Sequence, residues 1–315
     1  MNNSVKDLAT DLENWMSLIP QELRRMPIIN IAIPGSHDSF TANITSNSDI
    51  SPDAEEIVKE LSVLGPIFKE VIARWSKTQC YLANDQLIRG IRYFDLRTST
   101  KEGTDDLYIV HTLYSVPIQT CLDEINSFLD LHPKEVVIMD FQHFFGFDET
   151  LHKKFMQDIS TTFGSKILPY DGKMNNITLD SMAQNKYQVI IIYRIDGTTF
   201  WPSACFPNPW PNTVSIPTLI QSLNDNLKKR QKDIAFISQC VLTPDAKFIL
   251  EHVLSSLEEE CAKKLENYRS KWIEAQVAGE CGLNIIIADF IDLSDCKYVR
   301  DVINVNQSLL KVLNK

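Results

Sequence analysis

The side chains able to do chemistry gather at one kind of place in this sequence, the C-terminal end of short β-rich runs. The first run opens into Ile33-Pro-Gly-Ser-His37-Asp38-Ser, and the next ends Tyr93-Phe-Asp95-Leu-Arg97. Others end Val110-His111, Met139-Asp140-Phe-Gln142-His143, Tyr193-Arg194 and Ala288-Asp289-Phe. Two histidines suit paired acid–base work, because an unperturbed imidazole titrates near ~6.5 and is available in both forms at neutral pH. Of His37 and His111, one can take a proton while the other delivers one. Carboxylates behind them would fix tautomer and orientation, with Asp289 and Asp38 as the candidates. Arg97 offers a planar, permanently charged fork suited to phosphate oxygens. A Gly-x-Ser-x-Gly nucleophile motif is absent. Arg97 also stands where a second acidic ligand beside Asp95 would help a metal, so no metal is expected.

Taken singly, each residue has a structural explanation. A His near a strand end is commonly a hydrogen-bonded structural residue, an Asp there caps the following helix, and Asp95 and Arg97 form an ion pair. Convergence favours function. In a barrel of alternating strands and helices all strand ends share one rim, and active sites are built there.

The elements that would position them alternate along the chain. Candidate strands are Ile28–Ile33, Ile91–Arg97, Leu107–His111, Glu135–Phe141, Gln188–Tyr193, Ile234–Val241 and Asn284–Phe290. A weaker one near Thr198–Trp201 would complete eight. Runs such as Val189-Ile-Ile-Ile read as strands buried on both faces, as in a parallel sheet. Amphipathic helices are predicted at Ile118–Leu131, Glu149–Phe163, Thr218–Lys229, Ala246–Trp272 and Asp295–Leu313. The pattern predicts an α/β fold, an irregular (β/α)8 TIM barrel in a single domain over 1–315, with a core of about 25–310. A doubly wound open sheet is the alternative. Two segments break the rhythm. Asn47–Thr78 reads as a helical insertion, and its apolar stripe Ile57, Leu61, Leu64, Phe68, Ile72 is read as burial against the barrel in preference to a membrane contact. Phe200–Pro211 is dense in proline and aromatics and reads as a stiff loop, either a lid or a substrate-facing rim.

The bulk properties narrow the partners. The 315 residues are 44% hydrophobic and 23% charged, enough for one large core. A net charge of −10 argues against nucleic acid, which needs surplus Lys and Arg. The seven cysteines are scattered without a CxxC pair, so neither a zinc site nor a disulfide framework is expected. With no signal-like N-terminus and no apolar run of membrane-spanning length, a reducing cytoplasmic setting is expected, without a transmembrane segment.

The runs Ile31-Ala-Ile-Pro-Gly-Ser-His37-Asp38-Ser, Gln86-Leu-Ile-Arg-Gly-Ile-Arg-Tyr-Phe-Asp95-Leu-Arg97, Tyr108-Ile-Val-His111 and Asn284-Ile-Ile-Ile-Ala-Asp289-Phe resemble the phosphatidylinositol-specific phospholipase C X-domain family. The likeness is greater to its stand-alone animal members and runs over nearly the whole chain. It implies a distorted TIM barrel and an inositol 2-hydroxyl attacking phosphorus, with His37 as base and His111 as acid. Asp289 would orient His37, Asp38 would support His111 and the arginine, and Arg97 would neutralise charge on the phosphorane. Calcium-dependent relatives carry an acidic residue at the Arg97 position, whereas bacterial metal-free relatives carry arginine, so the resemblance implies no calcium and no other cofactor. Asp95, Arg194, Gln142 and His143 fall near the expected headgroup position, although bacterial members place a lysine where Gln142-His143 stand. Trp201 is the expected aromatic platform for the sugar ring. The partner implied is a phosphoinositide lipid, met by transient peripheral contact with internal or plasma membranes. A glycerophosphodiesterase would need a His-Arg-Gly opening, which is lacking. A non-catalytic phosphoinositide or inositol phosphate binder on the same scaffold is the alternative function.

Overall fold

The structure, a computed structural model, describes residues 7–54 and 65–313. Its frame is an eight-stranded sheet curled into an irregular TIM barrel. The strands are β1 (Ile33–Ser36), β2 (Tyr93–Thr100), β3 (Leu107–His111), β4 (Leu113–Pro117), β5 (Val137–Phe145), β6 (Val189–Tyr193), β7 (Ile237–Gln239) and β8 (Ile285–Ala288). Parallel pairing runs β7–β8–β1–β2–β5–β6. The Val/Ile runs of β5, β6 and β8 are buried on both faces, as parallel strands covered by helices must be. Gly35 of β1 is needed for this packing, since a Cβ there would come within 2.8 Å of Tyr93 Cδ1 and 3.0 Å of Ile287 Cγ2.

Four expectations need correction. The first strand begins at Ile33, while Ile28–Asn30 is a 3-10 turn whose neighbouring carbonyls are taken by the Asn284 side chain rather than a strand partner. Leu107–His111 is a strand, but it pairs antiparallel with the end of β2 and forms a hairpin with β4, turning at Thr112 (φ 64). Residues 198–201 contribute one bridge, Ile192 to Trp201, and no eighth stave. The long helix expected over Ala246–Trp272 is broken into Ala246–Glu251, a π-turn at Glu258–Ala262 and Lys263–Glu274.

The proline-rich segment has a structural task. Among the described residues β6 and β7 do not pair, and the segment fills that seam. Trp201 N–H donates to Ile191 O (2.9 Å), while Ala235 and Ile237 donate to Cys205 O (3.1 Å) and Pro207 O (3.0 Å). Prolines suit such a backbone, because it offers acceptors on one side and needs few donors. Within the insertion, Ile57, Leu61 and Leu64 lie outside the described residues. The helix Pro66–Ser76 follows, with Ile72 buried and Phe68 half-buried.

At the opposite end of the barrel, Arg92 and Glu135 form a buried pair joining the starts of β2 and β5. Arg92 Nη2 and Nε reach Glu135 Oε2 at 2.8 and 3.0 Å, and Ser17 N–H donates to Oε1 at 2.8 Å. Arg92 also donates to Leu87 O, Ile91 O and Glu13 O, so the N-terminal segment is riveted to this end of the barrel. Removing one partner strands a buried charge. Glu135→Ala is therefore expected to lose about 3–5 kcal/mol, and Glu135→Gln less, measured as the shift of the urea midpoint at constant m.

Candidate active site

The C-terminal ends of the strands open into one cleft of about 660 Å³. Leaving β1, the chain turns sharply through Asp38 (φ 39) and Phe40 (φ 71), which aims His37 and Asp38 into it. Thr78 Oγ1 donates to Asp38 O (2.8 Å), and Gln79 Nε2 donates to both His37 O and Ala288 O (2.9 Å each). The return of the insertion thus clamps the ends of β1 and β8 together. Left-handed backbone recurs beside the other key side chains, at Thr112 after His111 and at Phe290 after Asp289.

His37 Nδ1–H donates to Asp289 Oδ1 at 2.8 Å, which leaves Nε2 directed at the cleft. That Nε2 lies 3.4 Å from Asp38 Oδ2 and 3.9 Å from Asp95 Oδ2. His111 Nδ1–H donates to Ser76 O at 2.6 Å, and its Nε2 lies 3.3 Å from the same Asp38 Oδ2. Arg97 Nε meets the other oxygen, Oδ1, at 2.5 Å as a charge contact without hydrogen-bond alignment. One buried carboxylate therefore faces two imidazoles and a guanidinium.

The electrostatics follow from that crowding. Burial alone would lower the pKa of His37, but Asp38, Asp289 and Asp95 outweigh it and raise it to about 9. Burial pushes Asp38 up, yet Arg97 and then the neighbouring histidines bring it down to about 2. Asp95 goes the other way, raised to about 7 by burial and by the charge of Asp38. His143 is held below its ordinary value by burial and by Arg97.

A second group forms the floor. Asp140 takes two hydrogen bonds from Arg194, Nε at 2.8 Å and Nη2 at 2.6 Å, and one from Tyr93 OH at 2.6 Å. Beside Arg194 sits a chain of amides. Asn208 Nδ2 donates to Gln142 Oε1 (3.0 Å) and Gln239 Nε2 donates to Asn208 Oδ1 (2.6 Å). Gln142 Nε2 is buried without a partner.

His37, Asp38, Asp95, Arg97, His111, Gln142, His143, Arg194 and Asp289 all line this cleft. Trp201 does not. It is fully buried, its indole N–H donates to Leu168 O (3.2 Å), and its ring packs edge-on against Tyr170 and Phe206, because its backbone is committed to the barrel seam. The tryptophan of that segment facing the cleft is Trp210, 56% exposed. Sequence reasoning missed Gln79, Asn208, Gln239 and Asp53, whose Oδ2 accepts from Thr112 N–H at 2.7 Å. They lie on loops or at a strand end, and no local pattern marks them.

Residues 71–195 match the family model described as phosphatidylinositol-specific phospholipase C, X domain. The chain is 37% identical over 303 residues to human PI-PLC X domain-containing protein 3, covering 94% of each. It is 33% identical over 305 residues to zebrafish (Danio rerio) PI-PLC X domain-containing protein 1, covering 94% of this chain and 97% of that one. In fold it is similar to the phosphatidylinositol-specific phospholipases C of Staphylococcus aureus (TM-score 0.66, 18% identity, 96% and 98% of the two chains) and Listeria monocytogenes (TM-score 0.63, 16% identity, 94% and 99%). Among the described residues no helix is long and apolar enough to cross a membrane.

The charge arrangement is open to direct measurement. The His37 imidazole is expected to titrate near pH 9 by NMR. In Asp289→Asn, loss of a carboxylate that favours the imidazolium should move it down toward ~6.5. An unmoved titration would refute the assignment of the shift to these carboxylates.

Proposed function

The chain belongs to the phosphatidylinositol-specific phospholipase C X-domain family, and from that premise we propose that it is a metal-independent phosphodiesterase cleaving a phosphoinositide lipid into diacylglycerol and a cyclic inositol phosphate. The observation that carries this reading is the placement of His37 Nε2 and His111 Nε2 at 3.4 and 3.3 Å from one oxygen of Asp38, with Arg97 on the other. His37 Nε2 takes the proton of the inositol 2-hydroxyl, the O2–P bond forms, and Asp289 steadies the imidazolium. The P–O bond to glycerol breaks as His111 Nε2 gives its proton to the departing oxygen. Arg97 faces the charge that builds on the phosphorane, where a fixed cation in a partly desolvated cleft counts most. Asp38 holds the three in register.

His37, Asp38 and Asp95 bring three possible ligand atoms within 4.8 Å of one another. A cation fits poorly there. The reaction needs the His37 Nε2 lone pair for the hydroxyl proton, and Arg97 already supplies positive charge to Asp38. The headgroup ring is assigned to the floor, where Arg194, Gln142, Asn208 and Gln239 offer donors and acceptors for hydroxyls. His143 borders the same space. The protein works in the cytoplasm on this reading, touching internal or plasma membranes transiently.

The primary test is diacylglycerol release from phosphatidylinositol by purified protein, in EDTA and in calcium. Release in EDTA is expected, with a loss of at least about a thousandfold in His37→Ala and His111→Ala at unchanged folding. Activity in calcium alone would overturn metal independence, and inositol phosphate binding without release would favour a binding protein. The floor also sets a charge preference. Its amides are neutral, Arg194 is committed to Asp140, and among the described residues no lysine lines the cleft. Phosphatidylinositol is therefore expected to react about tenfold or more faster than its bisphosphorylated form at equal surface fraction. The reverse order would contradict the assignment of the floor.

A further inference from the structure

The cleft has a second wall that the proposed chemistry does not use. Phe68, Val71 and Trp75 present one apolar face of the helix Pro66–Ser76, and Leu242, Ile249 and Val253 face the same space from the other side. Arg74 bolts the two sides together, donating to Leu254 O (3.0 Å) and Val253 O (3.2 Å), and Trp75 packs edge-on against Phe248 at 6.0 Å. Val71 and Trp75 are recessed, at 7% and 5% exposure, so this is the inside of a slot rather than a rim.

Two observations say what fills it. The first is continuity. His111, which hands a proton to the glycerol oxygen in the proposed reaction, is hydrogen-bonded to Ser76 O at the end of that helix, so the leaving group departs where the charged cluster meets the apolar wall. The second is polar. Trp75 Nε1 is buried in the wall with no hydrogen-bond partner among the described residues. A buried N–H left unpaired costs free energy that an incoming acceptor recovers. An ester carbonyl at the head of an acyl chain is such an acceptor, followed at once by the methylenes the rest of the wall suits.

We propose that this wall is an acyl-chain slot, holding an ester-linked chain of the glycerol leaving group between the helix Pro66–Ser76 and residues 242–257, with the ester carbonyl accepting from Trp75 Nε1. The proposal rests on the phosphodiesterase reading for its ligand, but it is tested without turnover. The probe is monooctanoylglycerol, titrated calorimetrically below its micellar range into wild type, Val71→Trp, Leu250→Asp and Trp75→Phe. Leu250 lines the slot and is 50% exposed, so a charge there is tolerated by the fold even if Val71→Trp is not. Saturable binding is expected in wild type, weakened about tenfold or more by each of the first two changes. Trp75→Phe should weaken the ester ligand and leave octyl glyceryl ether unchanged. Absence of wild-type binding, or affinity indifferent to Leu250→Asp, overturns the slot, and equal loss of ester and ether affinity overturns the Trp75 contact. Binding by a protein that releases no diacylglycerol would keep the slot and refute the reaction, whereas release without binding would do the opposite.

Discussion

A carboxylate with no exposed surface cannot keep its charge unless cations are fixed around it, and Asp38 is such a carboxylate. Arg97 holds one oxygen, and the Nε2 atoms of His37 and His111 face the other. None of these partners comes from a sequence neighbour except His37. Arg97 rides on β2 and His111 on β3, so the charge of Asp38 is compensated only when β1, β2 and the hairpin are all in place. The backbone at Asp38 is itself in the left-handed region, a conformation a non-glycine residue keeps only when its surroundings impose it. Thr78 and Gln79 do so, which makes the return from the insertion part of the site although neither residue enters the chemistry.

The two ends of the barrel handle buried charge differently. At the N-terminal end of the strands, Arg92 and Glu135 are saturated, with each polar atom occupied by its partner or by backbone. Such a pair fixes geometry and has nothing left to offer a ligand. On the rim, both oxygens of Asp38 lack an aligned hydrogen bond, Asp95 and His37 are pushed far from their ordinary ionisation, and Gln142 keeps an unpartnered donor. Strongly shifted ionisable groups and an incomplete polar cluster at the rim, set against a saturated Arg92–Glu135 pair at the other end, are the physical reason to look for chemistry at the rim.

What could be read from the sequence was what depends on short-range pattern. Apolar runs placed the strands β2, β5, β6 and β8, and the polar residue closing each run placed His37, Arg97, His111 and Asp289 at one rim. What could not be read depends on pairing at a distance. Nothing local distinguishes an antiparallel hairpin strand such as Leu107–His111 from a parallel stave, since the two differ only in partner. The amides Asn208 and Gln239 are unremarkable until the seam brings them beside Gln142. Trp201 misled for the same reason. An aromatic in a proline-rich segment suits a ligand platform and a barrel seam equally well, and only its backbone bonds to β6 decide.

The seam explains why the cleft has two chemically opposite walls. A barrel fully closed by strand pairing would present a ring of similar strand ends. Here the segment from Trp201 to Pro207 replaces β6–β7 pairing, carries Asn208 to the floor, and leaves Trp210 at the mouth. The chain between β7 and β8 leaves the sheet at once, and its Leu242 and Ile249 line the cleft opposite the helix Pro66–Ser76. Charged groups sit at the C-terminal ends of β1, β2, β3 and β8 or one to two residues beyond them, where the sheet and its clamped turns hold distances of about 3 Å between ionisable atoms. Apolar groups sit on the helix and on the irregular stretch after β7, where shape matters more than register. An amphiphile laid across this cleft would meet a polar floor, a charged middle and an apolar wall in the order in which a phosphoinositide presents ring, phosphate and chain.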